Sequence, residues 1–205
     1  MDPKPSPQEA TEHLRLIRQT IERSQQHSTL SGISGVAAGV IVLIAAVVAE
    51  GVIGDPSQPG RQGAFVGLWF STLVAAGLVD LVITKIRAMR VGKTPLSGMG
   101  KSWLRAVAPG LISGLIVSLM YYHQPERFGD AIYGLWMLSY AMSLLAIGQL
   151  SAPAVSVLGW SFLAAAVWTL LGPQGVPVGP RGMLAVTFGG FHIVYGIARG
   201  IRDGW

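Results

Sequence analysis

The chain has 205 residues, 51% of them hydrophobic and 12% charged, about half the charged share of an average soluble domain. The net charge is +5 and there is no cysteine, which excludes a disulfide framework and any thiolate metal site. From Ala131 to Pro180, 50 consecutive residues contain no Asp, Glu, Lys or Arg; that is room for two bilayer crossings of about 20 residues each and the turn joining them.

At the N-terminus, Ser6-Pro7-Gln8-Glu9 has the form of a capping box with proline at the first helical position. Ala10, Leu14, Ile17 and Ile21 then recur at helical spacing as one apolar stripe, while Glu12, Arg15, Arg18, Glu22 and Arg23 take the other faces. Residues 1–28 are therefore expected to form a cytoplasmic segment built on an amphipathic helix. Its stripe, Leu14, Ile17 and Ile21, would lie in the headgroup boundary of a membrane or dock on a second chain. The apolar run that follows starts too far in and continues too long for a cleavable signal, so it reads as a retained span.

Six apolar segments follow, over residues 30–49, 64–84, 104–122, 131–148, 154–171 and 182–198. Hydrocarbon offers the backbone no hydrogen-bond partner, so each should be helical. The strict alternation of a membrane barrel is absent. The expected fold class is all-α: a polytopic membrane bundle of six transmembrane helices over residues 29–200, with a cytoplasmic tail at 201–205. Gln149-Leu150-Ser151-Ala152-Pro153 marks the turn within the uncharged run.

Orientation follows from the cations. Lys4, Arg15, Arg18 and Arg23 precede the first span. Lys85, Arg87, Arg90, Lys93, Lys101 and Arg105 lie around the second connection, and Arg199 and Arg202 close the sixth. These are twelve of the fifteen basic residues, and a six-span topology puts them on one side, against Arg61, Arg127 and Arg181 on the other. The positive-inside rule assigns the first side, with both termini, to the cytoplasm. The positive charge then meets anionic lipid, and no nucleic-acid partner is needed to explain it. Trp69, Tyr121, Tyr122, Tyr133, Trp136 and Trp168 fall toward the outer ends of their spans, and Trp103 and Trp205 toward the inner face, as interfacial aromatics do.

No constellation of catalytic residues and no metal spacing is present. His192, near the middle of the sixth span, is the most pointed residue, because an ionisable group at that depth is a functional hypothesis by default. It is expected either to pair with Tyr195, Thr187 or a neighbouring helix, or to serve as a haem or chlorophyll ligand or a proton relay. Asp80, one turn from the inner end of the second span, is expected to form an interfacial ion pair with Lys85, Arg87 or Arg105. Small residues recur every fourth position at Ser31, Gly35 and Gly39, at Gly63 and Gly67, at Gly110, Gly114 and Ser118, and at Gly196 and Gly200. Such spacing lets helices approach closely and suits a compact bundle or a homodimer. Pro109 and Pro153 are placed near span starts, where proline is tolerated.

Two resemblances bear on function. Gly32-Ile33-Ser34-Gly35 with a histidine in the last span resembles the rhomboid intramembrane proteases. It departs from them in detail, since that family's serine lies in the fourth span and Ser34 lies at the inner mouth of the first. A fuller likeness rests on Ile17-Arg18-Gln19-Thr20-Ile21-Glu22-Arg23-Ser24, on Gly134-Leu135-Trp136-Met137-Leu138 and on the stretch 188–197. It is to a group of bacterial six-span membrane proteins with no assigned activity, and it implies the same architecture without a mechanism. The expected function is that of a non-enzymatic protein of the bacterial inner membrane acting through protein contacts, as an accessory subunit or a membrane-tethered regulator. Two other expectations stand beside it: a small transporter or channel lined by Asp80, Ser113, Ser118, Ser139 and Ser143, and a haem- or pigment-binding redox subunit using His192.

Overall fold

The structure is a computed structural model that describes residues 8, 11–16, 31–90, 98–172 and 178–203. Among these the regular secondary structure is entirely helical. Six helices are long and apolar enough to cross a membrane: α1 (Gly32–Ile53), α2 (Gln62–Arg87), α3 (Lys101–His123), α4 (Ala131–Gly148), α5 (Pro153–Leu171) and α6 (Pro180–Arg202). Residues 11–16 are helical with Leu14 exposed; Ser6, Ile17 and Ile21 lie outside the described residues.

Local chemistry sets the helix ends. The capping box found in the structure is at Ser31. Its hydroxyl accepts the Ser34 N–H at 3.0 Å, and the Ser34 hydroxyl accepts the Ser31 N–H at 3.1 Å, so two otherwise unpaired donors are satisfied reciprocally. At its far end α1 widens into a π turn, Ala49–Ile53, and stops at Gly54 with φ of 67°. Arg61 donates from Nη1 to the Ile53 carbonyl at 2.6 Å, placing a cation at the negative end of the helix dipole. Glu50 falls inside this last turn, exposed, and is a second acid carried on a spanning helix besides Asp80. Pro153 opens α5 as its first residue. Pro109 differs from expectation: the helix containing α3 starts at Gly98, so this proline is interior.

The helices form two rows of three, α2–α1–α6 and α3–α4–α5, joined where α6 packs on α4 and α5 and, more lightly, where α2 meets α3 and α4. Alternate ends of the bundle are fixed by polar ties. At one end Trp103 of α3 donates to Ser151, in the α4–α5 turn, at 3.3 Å. This is the end where α1 begins and α6 finishes; Lys85, Arg87, Arg105, Arg199 and Arg202 gather there, and it is termed the basic end. At the opposite end Arg181 donates to Asp55 at 2.7 Å, clasping the α1–α2 loop to the start of α6. The Asp55 carboxyl is held below its ordinary range by the Ser57 N–H and hydroxyl, with Arg181 adding to the effect.

Close packing is made at small residues. A methyl group added at Gly32 would lie 2.6 Å from both the Gly196 carbonyl oxygen and the Gly200 nitrogen, and one at Gly39 would lie 2.6 Å from the Gly189 carbonyl oxygen. α1 and α6 therefore touch backbone to backbone. Gly110 of α3 is equally closed, against Ser143 of α4. Near the opposite end, Phe65 of α2 stacks on Trp136 of α4 with centroids 5.5 Å apart and meets Tyr133 and Tyr121 edge-on or tilted. Burial is uneven: half of the most apolar stretch of α4 is buried, but only 6% of the corresponding stretch of α2 and of α3.

Candidate functional site

The polar groups converge between the two rows. Gly189 and Gly190 sit in a π-helical stretch of α6, Ala185–Phe191, that ends where His192 begins. A Cβ at Gly189 would lie 2.5 Å from Cδ2 of Leu43 on α1, so that side chain would have to turn aside to admit one. A widened turn of this kind recurs at functional positions in membrane and soluble helices alike.

His192 is buried, and its Nε2 lies 2.7 Å from the Tyr140 hydroxyl of α4. Its Nδ1 is also buried and makes no complete hydrogen bond, but the Thr187 and Phe188 carbonyls lie beside it. Those carbonyls favour a proton on Nδ1, so in the neutral ring Nε2 is the acceptor and Tyr140 the donor. Aromatic rings enclose the pair. Phe162 of α5, fully buried, lies 4.9 Å from Tyr140, 4.8 Å from Phe188 and 5.5 Å from His192 between centroids. Phe188 stacks on the imidazole at 6.4 Å with an interplanar angle of 13°. A haem or chlorophyll at Nε2 would require Tyr140 to leave that atom.

Tyr140→Phe leaves the buried Nε2 without a donor. The expected loss of stability is about 1–3 kcal/mol, the cost of stranding one buried polar atom. A thermal unfolding series in mild detergent measures it, and replacing His192 by Phe in the same molecule should recover part of the loss.

Asp80 lies on the basic-end side of this pair. It is half-buried, with Oδ1 buried and without a hydrogen bond; Ser34 of α1 faces it, and Tyr140 lies within its electrostatic reach. Among the described residues no ion pair joins Asp80 to Lys85 or Arg105. The reason is helical phase. Five residues at 100° each turn Lys85 about 140° away from the face that presents Asp80 to α1. Lys85 and Arg105 are exposed at the basic end.

The serines proposed to line a path instead tie α3 to α4. Ser113 and Ser139 are bonded at 3.2 Å, Ser118 accepts the Trp136 indole N–H at 2.9 Å, and Ser143 donates to the Val107 carbonyl at 3.1 Å. An apolar notch lined by Leu43, Ile44, Val47 and Val48 opens outward on α1. Among the described residues no three His, Cys, Asp or Glu side chains cluster as metal ligands. Sequence reasoning missed Tyr140 and Phe162, since a tyrosine and a phenylalanine in apolar runs carry no signal of what they face. The Gly189-Gly190 pair before His192 was the one local mark of a disturbed helix. No protein-family model, curated protein or solved structure matches this chain.

Proposed function

We propose that the protein is a non-enzymatic component of the bacterial inner membrane that acts by binding another membrane-spanning chain, as an accessory subunit or a regulator. The observation that carries this reading is the nakedness of α2 and α3, with 6% of each apolar stretch buried against 22–50% in the other four helices. A supporting detail lies on α2. Gly67, Ser71 and Ala75 repeat the small-residue spacing that joins α1 to α6, yet they are exposed, and a side chain at Gly67 would meet nothing within 4 Å. Close approach by a partner helix is what such a stripe permits.

The orientation belongs to the same proposal: the basic end faces the cytoplasm because cations resist translocation. The motif likeness to bacterial six-span proteins supports the bacterial setting. Reporter fusions after Arg90 should be active only with a cytoplasmic reporter; activity of a periplasmic reporter there would reverse the orientation.

Contact itself is tested by photo-crosslinking in cells. A photoreactive residue at Leu78 of α2 or Ile116 of α3, exposed at 55% and 52%, should give a discrete protein adduct. The same probe at Val157 of α5, exposed at 64%, should give lipid adducts. Lipid adducts alone from all three positions would end this reading.

A further inference from the structure

The apolar notch on α1 has a carboxylate at its rim. Leu43, Ile44, Val47 and Val48 line it, all exposed on the outward face. Glu50 follows Val47 by three residues and Leu43 by seven, so it continues that face one turn nearer the end opposite the basic end. It is exposed, and among the described residues no ion pair reaches it. A carboxylate on a spanning helix is costly beside hydrocarbon unless a positive group meets it. The cation nearest along the chain is Arg61, also exposed. It spends one N–H on the Ile53 carbonyl, which closes the same turn, and keeps others for a further acceptor. This end of α1 thus carries an acid, a base and, just below them, an apolar recess.

We propose that this end of α1 binds an aminophospholipid, a lipid whose head joins a primary ammonium to a phosphate. The ammonium donates to the Glu50 carboxylate, the phosphate accepts from Arg61, and an acyl chain lies along the notch from Val48 toward Leu43. A primary ammonium gives the carboxylate charge-assisted N–H bonds, whereas a quaternary ammonium has no N–H to give. An anionic head without an ammonium would suit Arg61 but bring a second negative charge to Glu50. A partner helix on this face would need a cation of its own at the same depth, which the lipid head carries already. The site lies on a different helix from the bare faces of α2 and α3 and does not depend on the contact reading.

Native mass spectrometry of delipidated protein in mild detergent tests it, with phosphatidylethanolamine, phosphatidylcholine and phosphatidylglycerol of identical chains as probes. The wild type should retain phosphatidylethanolamine in preference to the other two. Equal retention of the ethanolamine and choline lipids, or stronger retention of the glycerol lipid, overturns the proposal, and that comparison needs no variant. Glu50→Gln should weaken phosphatidylethanolamine binding about tenfold, the loss of one charge-assisted hydrogen bond; a preference that survives it places the lipid elsewhere and overturns the site. Glu126→Gln, at an exposed carboxylate on the α3–α4 connection at the same end, should keep the wild-type preference. The same loss there would make the effect one of general surface charge and overturn the site as well. In cells, a photoreactive residue at Val40, one turn below the notch and exposed at 44%, should give lipid adducts. A discrete protein adduct at Val40 would give this face to a partner chain and end the lipid assignment.

Discussion

Gly196→Leu should separate α1 from α6 and lower the unfolding midpoint of the purified protein more than any single enlargement on α2. The obstruction is made of backbone. A Cβ at Gly196 would lie 2.5 Å from both the Gly32 carbonyl oxygen and the Val36 nitrogen, with Val36 Cγ2 at 2.8 Å. Side chains can change rotamer to admit a methyl group, but two helix backbones can yield only by moving apart. Overpacking of an ordinary core costs about 1–3 kcal/mol, and this site should fall at or above the upper end, about 3 kcal/mol. Separation also removes the support that Gly39 and Leu43 give to the π-helical stretch ahead of His192, so the Tyr140 bond should loosen as well. Gly67→Leu is the matched control, since nothing lies within 4 Å of it. An unchanged midpoint for Gly196→Leu would mean that α1 and α6 do not touch as described.

Phe162→Ala should be the most damaging truncation in the interior. The ring is fully buried and contacts Tyr140, Phe188, Phe191 and His192 at centroid distances of 4.8–5.6 Å. Its removal leaves a cavity between the two helical rows at the point where α6 meets α4 and α5, and large-to-small changes of this kind cost about 3–5 kcal/mol. Thermal unfolding in detergent reads the loss directly. Phe162→Leu, which refills much of the volume, should cost clearly less; equal costs for the two would show that filling the cavity is not what matters and that the ring itself is required. The comparison also bears on His192, because the ring that shields its bond to Tyr140 is the one removed.

These two sites show where sequence reasoning stopped. The glycine spacing at Gly196 and Gly200 was visible, and so was that at Gly35 and Gly39, but spacing does not say which stripes face each other. The structure pairs those two and leaves Gly67 on α2 without a neighbour. His192 was visible as an ionisable residue in an apolar run, whereas its partner Tyr140 stands 52 residues earlier in another such run. Asp80 is legible in the sequence as an acid in an apolar run with Lys85, Arg87 and Arg105 near its end of the span, but which of them its side chain can face depends on helix rotation, and the turn of the helix directs Lys85 away. Pro109 was placed at a helix start because hydropathy falls off there, but the helix continues through Lys101 and Arg105 as a polar extension.

The number of spanning helices, their approximate limits and the all-α class were determined by the sequence alone. Those properties are sums over short contiguous stretches: enough apolar residues in a row to cross hydrocarbon, charges and prolines where the row ends. Which helices touch, which way each is rotated, and that Asp80 faces Ser34 rather than Lys85 were decided only in the tertiary structure. These follow from the fit of one helix surface against another, and an apolar helix in lipid carries no polar face to announce which side turns inward.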